Sequence, residues 1–147
     1  MAFLQPSLIR LQEPIGEPQD AIRIAGDLLQ KNNHVEARYV DAMVAAYQKH
    51  GPYFVIAPGI AVPHARPEDG VIRAAVSMVQ MTEGVAFGSE ANDPVYLIFA
   101  LAADSNQNHL QLLQRLSLLL GNEENVERLR NAKAPNEIRN FLKENSI

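Results

Sequence analysis

The sequence predicts an α/β fold, a mixed central β-sheet flanked by helices on both faces, in a single domain over residues 1–147. Three observations carry this. Segments with apolar residues at helical spacing interleave with short β-rich apolar runs, the alternation that places helical layers around a sheet. Val95 to Ala103 (Val-Tyr-Leu-Ile-Phe-Ala-Leu-Ala-Ala) has no polar break, as expected of a strand covered on both faces and therefore central. At 147 residues the chain is long enough for one proper core.

In chain order, Leu8 to Leu11 reads as a short first strand, ended by Pro14 and Gly16. Helical spacing of Ala21, Ile22, Ile24, Ala25, Leu28 and Leu29 predicts a helix from Pro18 to Lys31, with Pro18 and Asp20 suited to its first turn. Asn32 and Asn33 break it. A second helix is expected from about Val35 to His50, stopped by Gly51-Pro52. Tyr53 to Ala57 reads as a strand leading into a segment punctuated by Pro58, Gly59, Pro63, Pro67 and Gly70. Arg73 to Met81 reads as a buried strand, Thr82-Glu83-Gly84 as a turn, and Val85-Ala86-Phe87 as the start of another short strand. After the loop Gly88 to Pro94 comes the central strand Val95 to Ala103. Asp104-Ser105-Asn106 supplies caps for a helix carrying His109, Leu112, Leu113, Leu116 and Leu120 on one stripe. Amphipathic helices from Glu123 to Asn131 and Pro135 to Asn145 close the chain.

Composition narrows the function. There is no cysteine, hence no disulfide framework and no thiolate chemistry. No apolar run approaches the ~18 to 20 residues that span a bilayer, and no secretory signal is visible, so a cytoplasmic location is expected. The net charge of −4 is concentrated between His64 and Asp104, where six acids face two bases; the remaining acids and bases balance at eleven each. That is the opposite of a nucleic-acid binder's basic stripe, and it suits docking onto a basic protein partner.

Four histidines are candidates for chemistry. His34 and His50 lie near helix ends in polar surroundings and read as surface or capping residues. His64 stands in a Gly/Pro-framed loop whose three prolines Pro58, Pro63 and Pro67 fix φ and leave few conformations to lose. A ring held so cheaply suits a nucleophile that must be kept in register. His109 falls in the first turn of the helix after the central strand. Both positions are loop–helix junctions beside central strands, where open α/β sheets place ligands.

A neutral imidazole can attack phosphorus and carry the phosphoryl group covalently. The transferred group spreads charge over its equatorial oxygens and needs donors around them. His109, beside the positive end of a helix dipole, can donate or hold the tautomer of His64, and Arg66 can pair with the phosphate. The sequence contains no HExxH, GxSxG, GxxxxGK[ST] or GxGxxG. No third ligand stands at metal-site spacing, so neither a metal nor an organic cofactor is expected.

Gly51-Pro52-Tyr53 and Ile60 to Val71 (Ile-Ala-Val-Pro-His-Ala-Arg-Pro-Glu-Asp-Gly-Val) resemble the active-site segment of enzyme IIA components of the bacterial sugar phosphotransferase system. The resemblance is to the mannitol/fructose superfamily, most closely its ascorbate-type branch. Weaker matches at Tyr39 to Met43, Val85 to Gly88 and Val95 to Leu112 extend it almost end to end. It implies a phosphotransferase/anion transport protein-like fold, with His64 as phosphoacceptor through Nε2 and His109 as the supporting histidine. It further implies a histidine-containing phosphocarrier protein as donor and an enzyme IIB as acceptor, serving a membrane enzyme IIC. A homodimer is left open. One departure stands out: Asp41-Ala42-Met43 is followed by Val44-Ala45-Ala46-Tyr47, without the arginine usual in mannitol- and fructose-type members. Arg66 is the expected substitute cation, and mannitol and fructose become poor expectations for the sugar. Two other functions fit the same residues: a regulatory module of the nitrogen-related type, switched by phosphorylation of His64, and a metal-free hydrolase using the histidine pair.

Overall fold

Six strands and five helices make up the computed structural model, which describes residues 1–147. In chain order they are β1 (Ala2–Phe3), β2 (Ile9–Glu13), α1 (Pro18–Lys31), α2 (Ala37–His50), β3 (Val55–Ala57), β4 (Ile60–Ala61), β5 (Ala75–Val85), β6 (Val95–Ala102), α3 (Asn106–Leu120), α4 (Glu123–Asn131) and α5 (Pro135–Glu144). The sheet runs β1-β5-β6-β4-β3, with β2 also on β5. β5 and β6 are antiparallel, β4 is parallel to β6, and β1 and β2 are parallel to β5. It is the mixed sheet expected, with β6 paired on both sides.

The unbroken apolar run of β6 is divided by the strand's period of two. Ile98, Ala100 and Ala102 join the cluster under α1 and α2. Leu97, Phe99, Leu101 and Ala103 join the cluster under α3, α4 and α5. All seven are buried, and full burial of each larger side chain contributes roughly 1.5–3 kcal/mol. α1 crosses α2 closely at Gly26, where an added Cβ would come within 2.9 Å of Val40 Cγ1. A larger residue there would force the helices apart.

Several boundaries differ from the sequence expectation. α2 starts at Ala37 rather than Val35, because Val35 is drawn into a bridge with Val71 and the Glu36 N–H donates to Gly70 O (2.8 Å). Tyr53 is not in a strand; a turn closed by Val55 N–H to Pro52 O (3.0 Å) delays β3. Leu8 belongs to a 3-10 turn, so β2 begins one residue later, and β1 precedes it unannounced by its sequence. The expected turn at Thr82-Glu83-Gly84 is strand: β5 runs to Val85, which pairs with Val95 across an irregularity. Val85 to Phe87 therefore starts no new strand.

Two buried polar residues of β5 fasten the layers. Ser77 Oγ donates to Ala25 O of α1 (2.7 Å). On the other face, Gln80 Nε2 donates to Leu129 O, Arg130 O and Ala132 O at the end of α4 (2.7, 3.0 and 3.0 Å), while its Oε1 accepts from Gln12 N–H (3.1 Å). Those carbonyls are among the orphans every helix end leaves. Gln80→Leu should lower stability by roughly 2–4 kcal/mol, since polar groups left without partners cost most. A urea titration should show the midpoint falling with an unchanged slope.

Candidate functional site

The His64 segment is shaped by β6. The parallel pairing of Ile60 with Leu97 and Ala61 with Ile98 continues, in the same register, to a bridge between His64 and Leu101. Leu101 N–H donates to Pro63 O (3.0 Å), so the residue lacking an N–H contributes its carbonyl to the ladder. His64 is thereby carried to the C-terminal end of a parallel strand pair, where α/β sheets form their crevices. β4 itself was hidden in the sequence by the surrounding prolines and glycine.

The first turn of α2 ties down the rest of the loop. The Tyr39 hydroxyl, fully buried, donates to Leu101 O (2.7 Å) and accepts from Ala65 N–H (3.0 Å). Arg38 Nη1 donates to Glu68 O (2.7 Å), and Arg66 N–H donates to Asp69 Oδ2 (2.9 Å). Gly70 has φ +129°, and a Cβ there would meet Tyr39 N at 3.3 Å. Only glycine suits this position.

His64 is half-buried. Its Nδ1 lies 3.0 Å from Val62 O. A carbonyl only accepts, so the neutral ring holds its proton on Nδ1 and leaves the Nε2 lone pair free. The His109 ring centroid is 5.5 Å away. α3 positions it: Ser105 Oγ caps Asn108 N–H (3.1 Å), and Asp104 Oδ1 accepts from Asn108 Nδ2 (2.5 Å). Burial first, and the charge of His64 second, lower the pKa of His109, which keeps this ring neutral at pH 7. His109 is half-buried, while Leu112 and Leu116 of the same stripe are buried.

A cleft of about 460 Å³ also borders His64, lined by Ala42, Ala46, His50, Tyr53, Ala65, Arg66 and Asp69 besides His64 itself. Arg66 is exposed, and its guanidinium forms none of the four ion pairs in the structure. The structure thus sets His64 beside His109 and places Arg66 on the cleft that His64 borders. It also corrects one sequence expectation and extends another. His34 is buried, not a surface residue: 8% exposed, with Nδ1 unpartnered. Its backbone carbonyl accepts from Ile72 and Arg73 N–H (2.8 and 3.0 Å), which draws it inside. His50 is exposed as expected, yet it belongs to the cleft, its ring edge-on to Tyr53 (6.0 Å), which in turn contacts His64 (6.3 Å). Its place on the helical turn after Ala42 and Ala46 was the available signal.

Comparison with known proteins follows the same lines. The model of the family "Phosphoenolpyruvate-dependent sugar phosphotransferase system, EIIA 2" matches residues 2–145. The ascorbate-specific PTS system EIIA component of Shigella boydii is 38% identical over 135 residues, 91% of this chain and 88% of that protein. The mannitol-specific cryptic phosphotransferase enzyme IIA of Escherichia coli superposes with a TM-score of 0.86 at 30% identity, covering 95% of each chain. The mannitol enzyme IIA of Escherichia coli, in its complex with phosphorylated enzyme IIB, superposes with a TM-score of 0.84 at 33% identity, covering 97% of this chain and 99% of that one. These matches support the sugar-specific carrier over the nitrogen-regulatory alternative.

Tyr39 offers a test of how the loop is held. Its hydroxyl is pushed up to about 12, by burial above all; Asp69 and Tyr53 add to this and the hydrogen bond at Ala65 opposes it. The unfolded value is about 10. The contribution is therefore complete below pH ~10 and is lost as pH rises from there through the folded value, a loss of about 3 kcal/mol. Tyr39→Phe should remove this part of the alkaline destabilisation and cost about 1–3 kcal/mol at pH 7. Denaturant midpoints measured from pH 7 to 12 check both.

Proposed function

This chain belongs to the EIIA 2 family of the phosphoenolpyruvate-dependent sugar phosphotransferase system and is a sugar-specific phosphocarrier, and we propose that it carries the phosphoryl group on His64 Nε2. The observation that supports this assignment is the contact between His64 Nδ1 and Val62 O (3.0 Å). In the acceptance step the Nε2 lone pair forms the new N–P bond. The donor's N–P bond breaks, and its electron pair stays on the donor's ring nitrogen. The Nδ1 proton of His64 remains against Val62 O throughout, so His64 needs no separate base. Passing the group on reverses these changes, with an acceptor nucleophile taking phosphorus.

His109, half-buried beside the His64 ring, donates an N–H to the phosphoryl oxygens. Arg66, unpaired on the cleft wall, supplies positive charge against the ~1.5 to 2 negative charges of the group. No metal or organic cofactor has a part. The donor is a histidine-containing phosphocarrier protein; the acceptor is an enzyme IIB, the class of partner that the mannitol relative holds in its complex. Exposed Tyr53 and Leu110, beside the two histidines, provide apolar contact for such partners. The partner enzyme IIC moves the sugar, and the likeness to ascorbate-specific relatives makes an ascorbate-type substrate the reading for this chain. No helix is long and apolar enough to cross a membrane, in keeping with work on the cytoplasmic side.

With phosphoenolpyruvate and the general system proteins, mass mapping should find the phosphoryl group on His64, and His64→Gln should abolish labelling. Undiminished labelling of that variant refutes the assignment. His109→Ala should slow phosphoryl acceptance roughly 10- to 100-fold while leaving His64 the labelled residue. Unaltered rapid-quench kinetics would remove His109 from the site.

A further inference from the structure

We propose that His50 is a second imidazole donor to the phosphoryl group, which it reaches across the cleft that also holds Arg66; this rests on His64 being the phosphoacceptor. Ala42 and Ala46, one helical turn apart on α2, form part of the cleft wall and fill little of it. The next turn of the same helix brings His50, its last residue, to the same cleft. Gly51, with φ +75° and its N–H donating to Tyr47 O (2.8 Å), ends the helix there and fixes where His50 sits.

The electrostatics favour a donor at this place. His50 ends α2, and the negative end of a helix dipole is a favourable place for a side chain that donates. The sole acid on the cleft wall is Asp69, and its Oδ2 already accepts the Arg66 backbone N–H at 2.9 Å. Tyr53, also on the cleft wall, meets both His50 and His64 edge-on, so both imidazoles pack against one ring. His109 does not line this cleft; it approaches the His64 ring from elsewhere, with centroids 5.5 Å apart. A phosphoryl group on Nε2 then has donors in His109, beside the ring, and in His50 and Arg66, on the cleft wall. In a chain without an arginine after Asp41-Ala42-Met43, His50 and Arg66 together supply the missing donors.

The test uses the full chain with phosphorylated histidine-containing phosphocarrier protein as donor. His50→Phe keeps an aromatic ring against Tyr53 and removes the ring N–H groups. Its single-turnover rate at saturating donor should fall about tenfold or more, with the donor concentration for half-saturation unchanged. Adding Ala46→Arg, which places a guanidinium on the cleft wall, should restore most of the rate. An unaltered rate, a loss confined to half-saturation, or no rescue overturns the proposal. Nitrogen-15 spectra of the unsubstituted protein give an independent check: the His50 ring signals should move when His64 is phosphorylated, and unmoved signals overturn it. Absence of label on His64 in the unsubstituted protein would instead overturn the phosphocarrier assignment. Labelled protein with unaffected His50→Phe kinetics removes His50 alone.

Discussion

The attachment of the Pro63–Ala65 segment to the end of β6 is the constraint on which the site depends. Leu101 offers both backbone groups to it: its N–H to Pro63 O, and its carbonyl to the Tyr39 hydroxyl that in turn holds Ala65 N–H. With the backbone fixed on either side of His64, Val62 O lies within reach of Nδ1, and the ring has one nitrogen left for chemistry. The loop needs no regular structure of its own, because a buried strand and a buried hydroxyl position it. Proline is well placed here: Pro63 has no donor to satisfy, and its carbonyl is the group the ladder uses.

The same strand sets the two layers. One face of β6 packs on α1 and α2, which deliver Tyr39, Arg38 and the cleft residues Ala42, Ala46 and His50. The other face packs on α3, which delivers His109. Site residues thus come from both helical layers and meet at the C-terminal end of one strand pair. Such an arrangement can offer a charged group donors from both layers without closing over it.

Much of this was legible in the sequence. The helical period of Ala21 to Leu29, the Gly51-Pro52 stop and the unbroken run Val95 to Ala103 gave α1, the end of α2 and the central strand, because each is a local signal set by burial. The short strands were not legible. β1 and β4 are two residues each and exist only because β5 and β6 offer them partners. The Thr82-Glu83-Gly84 segment looked like a turn on composition, but it continues a strand whose neighbour is distant in sequence. At the site, His64, His109 and Arg66 stood out by their neighbours. His50 did not, since its relation to His64 arises from a cleft formed between a helix end and a loop. Nor did Tyr39, because its hydroxyl's part in holding the loop depends on two backbone groups far away in the chain.

The place of the phosphoryl group on Nε2 of His64 is the central claim. Nitrogen–phosphorus correlation spectra of the phosphorylated protein report it directly. With Nδ1 held by Val62 O, the coupled nitrogen should be Nε2 of His64, with Nδ1 still protonated. Phosphorus coupled to Nδ1 of His64, or to a nitrogen of any other histidine, would contradict it.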